Sequence, residues 1–265
     1  MDHHGHRYAR FFWLVMLFAA LPSCVPLGMS LPYDPAEAPP EPSGSRIKAT
    51  VGWLSTHGAD TPNGTPDGSI SIDIVHMGGH TLLQQVRHYR VGQAAYGDSI
   101  LLDRTTLRPV TTTRWTPRGT FVTTYNHRVV VRVFHPVHGA ARRSTETLDV
   151  EPYSALGMEL LISSLPLSDG VHGVIPVAVD TAARGWSWLH FEVQRELSLQ
   201  ERPDQRQKDM RVVDCDIGTD RTRLWIDMDG RSVRRIERLG PDNEVLSTVR
   251  RMLLGMPRAP TKAGE

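Results

Sequence analysis

The clearest periodic signal in this chain is alternation of apolar and polar positions. Ile70, Ile72 and Ile74 fall on one face of an extended segment, while Ser69, Ser71 and Asp73 fall on the other. Leu189, Phe191 and Val193 alternate in the same way with His190, Glu192 and Gln194, and Leu224, Ile226 and Met228 with Arg223, Trp225 and Asp227. Side chains along a strand point to opposite faces in turn, so each run predicts a strand packed on one side and mostly wet on the other. One-sided strands of this kind favour antiparallel sheet over a parallel sheet buried on both faces. The run at 128–133 is less regular: Val129, Val131 and Val133 share a face, and Val130 sits with Arg128 and Arg132 on the other.

Turn chemistry separates these runs. Asn63-Gly64, Asp67-Gly68, Gly78-Gly79, Arg118-Gly119 and Asp229-Gly230 all suit tight reversals. The last predicts that the strand around Leu224–Met228 folds back onto 232–239, with 211–217 before it, as a C-terminal meander. Helix is scarce. Leu156, Leu160 and Leu161 give 154–163 enough apolar spacing for a short helix. Asp242 as a cap, with Val245, Leu246, Val249 and Leu253 along one face, predicts a second at 242–254. The expected fold is therefore mainly β, a curved antiparallel sheet or open half-barrel with one or two short helices. It occupies residues 46–255 as a single domain, with 256–265 as a disordered tail.

The N-terminal stretch breaks this pattern. Residues 1–10 are mostly polar and contain Arg7 and Arg10, and an unbroken apolar run of eleven, Phe11 to Leu21, follows. As a helix it would span about 16 Å, far short of a bilayer core of roughly 30 Å. It has instead the order and length of a secretory signal peptide, residues 1–23. Leu21-Pro22-Ser23-Cys24 resembles the bacterial lipobox, whose cysteine becomes acylated after cleavage. Leu21 and Ser23 match the preferred types, and Pro22 departs from the usual small residue. The expectation is a lipid on Cys24 and an outer-membrane lipoprotein facing the periplasm, with secretion or a soluble periplasmic form as the alternative. Residues 24–45 carry six prolines and read as a stiff tether. His3, His4 and His6 precede the cut and belong to the disposable head.

Charge and cysteine content narrow the partners. Of 265 residues, 242 follow Ser23, and losing Arg7, Arg10 and Asp2 from 30 basic and 29 acidic residues leaves a formal net charge of zero. A neutral chain has no long-range field of its own to gather nucleic acid or anionic lipid, so neither is expected as a partner chosen by general charge. Besides Cys24 the only cysteine is Cys215, flanked by Asp214 and Asp216, whose charges disfavour its thiolate.

Three blocks carry a resemblance: 98–110 (DSILLDRTTLRPV), 155–170 (ALGMELLISSLPLSDG) and 223–237 (RLWIDMDGRSVRRIE). Together they resemble an uncharacterised family of exported bacterial β-domains, distantly similar to the open half-barrels of the lipoprotein-localisation carriers. The resemblance would cover roughly residues 50–240. It implies a concave apolar sheet partly covered by helix and able to hold an acyl chain, and it carries no catalytic residue across.

Candidate chemistry is thin. Asp214, Asp216, Gly218 and Asp220 form D-x-D-x-G-x-D, but position twelve of a calcium loop would be Trp225 rather than glutamate. The histidines are scattered without zinc spacing, and G-x-S-x-G, a Walker loop and G-x-G-x-x-G do not occur. No metal, cofactor or catalytic residue is expected, and the chain reads as a non-enzyme. Trp186 and Trp188 share one strand face, as a ligand or partner surface or as packing against a second layer. Arg231, Arg234, Arg235 and Arg238 read as a solvated edge that resists strand-to-strand aggregation. Three functions stay open: an envelope lipoprotein binding an apolar ligand or lipid, an outer-membrane interaction or scaffold module with a filled core, and a hydrolase.

Overall fold

In the computed structural model the described residues are 42–58, 67–91, 93–179, 185–194 and 210–253. The expected signal peptide, Cys24, the expected tether up to residue 41 and the expected tail all lie outside them. The fold is mainly β, built on one 15-stranded sheet with a single short α-helix among the described residues.

Two meanders grow from a common centre. β1 (Thr50–Gly58) lies between β2 (Gly68–Met77) and β15 (Val245–Leu253). One arm runs outward from β2 through β3 (His80–Val91), β4 (Ala94–Asp103), β5 (Pro109–Thr116), β6 (Gly119–Asn126), β7 (Val129–Pro136) and β8 (Arg142–Thr147). The other runs inward from β9 (Tyr153–Ser154) through β10 (His172–Ala178), β11 (Trp186–Val193), β12 (Met210–Ile217), β13 (Asp220–Asp227) and β14 (Ser232–Leu239) to β15. All neighbours are antiparallel except β9 and β10. β8 and β9 end the strand order, so the sheet does not close into a barrel.

The alternation reads out as burial, except that Trp225, on the face of β13 expected to be wet, is also buried, against Met210 and Val212. Ile70 and Ile72 of β2, Leu189, Phe191 and Val193 of β11, and Leu224 and Ile226 of β13 are all buried. The predicted reversals at Gly78-Gly79, Arg118-Gly119 and Asp229-Gly230 form the β2–β3, β5–β6 and β13–β14 hairpins, whereas Asn63-Gly64 lies outside the described residues. The Ser154–Ser163 prediction is met by a 3-10 turn at Ala155–Gly157 running into α1 (Met158–Ser164). The Ser154 hydroxyl accepts from the Leu156 N–H at its start.

That segment fills the inside of the sheet. Leu156, Leu160, Leu161 and Ile162 pack with Leu83, Ile100 and Leu102 of the first arm and with Val177, Leu189 and Leu224 of the second. The sheet therefore curls around α1. Gly157 permits the close approach, since a Cβ there would meet Ile100 Cδ1 at 3.0 Å.

Three expectations change. Residues 245–253 form β15, not a helix, because the chain there must supply the hydrogen bonds that join β1 to β14; tertiary pairing overrides a weak helical spacing. In β7 the fully buried residue is Val130, on the face assigned to Arg128 and Arg132. It packs with Tyr125, Leu148 and Ala178 where the two arms overlap. The arginines of β14 are no edge, since that strand is paired on both sides. Arg234 meets Asp227, Arg235 meets Glu237 and Arg238 meets Asp220.

Candidate functional site

Two polar constellations stand out, one inside the curl and one on its outer face. The inner one begins with Glu159 in the first turn of α1, a carboxylate buried among leucines. Arg87 of β3 donates to it from Nη1 at 2.7 Å and to Asp98 of β4 from Nε at 2.7 Å. Arg251 of β15 contacts the other Glu159 oxygen. Register explains the convergence: Arg87 lies opposite Asp98, and Arg251 lies opposite Leu54 on the inner face of β1. Burial first, and then Arg87, lower the Arg251 pKa to about 9, against the pull of Asp98. It stays a cation at neutral pH. Beside them Gln85 is fully buried, and neither of its amide atoms has a hydrogen-bond partner among the described residues. Buried polar atoms are rarely left in that state. The arrangement has opposed charges already paired and no nucleophile, which suits holding α1 in place better than chemistry.

The outer site lies on β10–β12. His172, His190, Glu192, Asp214, Asp216 and Arg221 line a groove of about 470 Å³. Cross-strand register builds it: His172 lies opposite Glu192, Glu192 opposite Asp214, and His190 opposite Asp216. Two carboxylates directly opposite repel, and arginines relieve them. Arg223 grips Asp214 with two hydrogen bonds of 2.7 and 3.0 Å, and Arg221 reaches Asp216 at 3.3 Å. Asp220 pairs with Arg238. Each aspartate of the D-x-D-x-G-x-D stretch thus has an arginine, and no metal-holding group of three or more such ligands occurs among the described residues.

Trp186 and Trp188 stand in the same row of β11 as His190 and Glu192. The indoles meet edge to face with centroids 4.8 Å apart. Trp186 packs against the Tyr125–Val130–Leu148–Ala178 cluster beneath the overlapping first arm. Trp188, half-buried, marks the step from that overlap to the open groove. Alternation alone put the two on one face; only the overlap of the arms separates their surroundings.

Cys215 faces inward, fully enclosed, and burial, then Asp214 and Asp216, push its thiol well above the ordinary range. His76 and His80 lie at the β2–β3 hairpin, where His76 Nδ1 is 3.3 Å from the Thr81 hydroxyl. No protein-family model matches the chain, and none of the curated proteins compared with it is significantly similar.

Proposed function

We propose that this chain is a noncatalytic interaction module of the cell envelope, held at the outer membrane by a lipid on Cys24 and engaging a partner protein through its outer surface. One observation carries the reading: α1 and the leucines around it occupy the inside of the curled sheet. An acyl-chain carrier would need that volume for its cargo. The groove on β10–β12 is the corresponding outward surface, concave and polar, and Trp188 stands in the same row of β11 two residues before the groove-lining His190. Aromatic anchors beside polar rims supply much of the energy of protein interfaces.

Native mass spectrometry of the protein extracted from its own membrane tests this. The expected spectrum holds the acylated chain without a further lipid-sized mass. A stoichiometric lipid adduct that survives Cys24→Ser would instead place cargo inside the sheet and overturn the proposal.

A further inference from the structure

The neutral net charge conceals a segregated one. From Arg104 to Thr145, 42 consecutive residues contain eight arginines and no aspartate or glutamate. This stretch is the outer part of the first arm, β5 to β8. At the end of the arm holding the β4 start, the carboxylates among the described residues include Asp98, already taken by Arg87, and Asp67, whose carbonyl accepts from the Arg90 N–H. The opposite end differs, because Glu146 there meets Arg132, Glu151 meets His127, and the Glu151 carbonyl accepts from Arg108.

The basic end also exposes apolar surface. Trp115 is 36% and Val137 61% exposed. Val137 N–H donates to the Arg118 carbonyl at 3.1 Å, which joins the β5–β6 turn to the loop after β7. Arg142 and Arg143 start β8 on the far side of that loop. Trp115 is steadied by His88, stacked at 5.9 Å. Gly97 lies between them, where a Cβ would come within 3.0 Å of the indole.

We propose that this corner, Trp115, Arg118, Val137, Arg142 and Arg143, docks on an anionic phospholipid surface. Guanidinium groups attract anionic headgroups, and an indole with a neighbouring aliphatic group inserts at the headgroup boundary. The exposed valine favours lipid over nucleic acid, whose phosphates and bases gain little from it. The proposal goes beyond the interaction-module reading and depends neither on what the groove binds nor on the acyl anchor. If Cys24 is acylated, the surface is within tethered reach, where a weak contact acts at high local concentration.

The test uses the full chain carrying Cys24→Ser, sedimented with vesicles of phosphatidylcholine alone or mixed equally with phosphatidylglycerol. The chain is expected to prefer the anionic vesicles at low salt and to lose the preference at high salt. Arg118→Glu, Arg142→Glu and Arg143→Glu combined should weaken anionic binding on the order of a hundredfold, at about fivefold or more per arginine. Thermal melting confirms the fold of that variant, and Arg250→Glu, on β15, should leave binding unchanged. Val137→Ser should weaken binding several-fold without changing its salt dependence. Equal sedimentation by the triple variant would overturn the proposal, as would retention of polyuridylate by the chain without any preference between the vesicles.

Discussion

Glu159 and Arg87 form a 2.7 Å ion pair inside the curled sheet, with side chains 7% and 17% exposed. It ties the first turn of α1 to β3, and Arg251 on β15 closes on the same carboxylate. A buried pair is weak evidence for stability by itself, because desolvation offsets much of its attraction. Removing Glu159 is another matter, since it leaves the buried Arg251 charged without its carboxylate and Arg87 with Asp98 alone. Glu159→Ala should therefore cost about 3–5 kcal/mol in urea unfolding. A double-mutant cycle with Arg87→Met should recover a coupling of at least about 1 kcal/mol. A loss within the ordinary surface range of about 0.5 kcal/mol would show that α1 does not rely on this carboxylate.

Gly97 is the hollow in which His88 and Trp115 meet. A Cβ at this position would lie 2.9 Å from the Arg87 carbonyl, 3.0 Å from the Trp115 ring and 3.1 Å from His88 Nδ1. Gly97→Ala should destabilise the domain by about 1–3 kcal/mol through overpacking and displace the indole. Tryptophan fluorescence and near-ultraviolet circular dichroism would show the displacement. An unchanged spectrum with unchanged stability would mean that the stack adjusts freely.

The Cys215 thiol is enclosed in the main core between Phe191 and Thr222, its opposite numbers in register. Burial and the two flanking aspartates all disfavour the thiolate, which is the reactive form. In a Cys24→Ser chain, maleimide should leave Cys215 unmodified in the folded state and label it fully in denaturant. Rapid labelling without denaturant would mean that β11–β13 opens readily. Cys215→Ser should cost about 1–3 kcal/mol, because it places a hydroxyl among apolar side chains.

The legible parts of this fold were those where one physical rule acts alone. Strands β2, β11 and β13 each bury one face against the core, so period-two alternation marked them. The Asp229-Gly230 reversal needs only local turn chemistry. Segment 245–253 failed because its valines and leucines fit helical spacing as well as a strand, and only pairing with β1 and β14 decides between them. Val130 failed because its burial depends on the second arm passing beneath β7, a contact between residues far apart in sequence. The basic arm was readable as 42 residues without a carboxylate, yet a net charge taken over the whole chain averaged it away. The groove on β10–β12 carries no motif at all. It arises from strand register, which places His172, Glu192 and Asp214 in one row across three strands.

Asp227 closes the β13–β14 hairpin. Its Oδ1 accepts from the N–H groups of Asp229 and Gly230 at 3.1 and 3.2 Å, and Arg234 donates to Oδ2. Burial raises its pKa, but the Arg234 and backbone hydrogen bonds outweigh it, so the carboxyl lies below its ordinary 3.8. A carboxyl with a depressed folded pKa stabilises above its unfolded value and loses that contribution as pH falls through the folded one. Asp227→Asn removes the charge while keeping the side-chain shape. At neutral pH it should cost about 1–2 kcal/mol, as expected for hydrogen bonds to a charged group. The gap in melting temperature between wild type and variant should narrow once the pH drops below about 4. It should close further as the wild-type carboxyl takes up its proton. A gap that stays constant from neutrality deep into the acid range would show that shape rather than charge at Asp227 holds the turn.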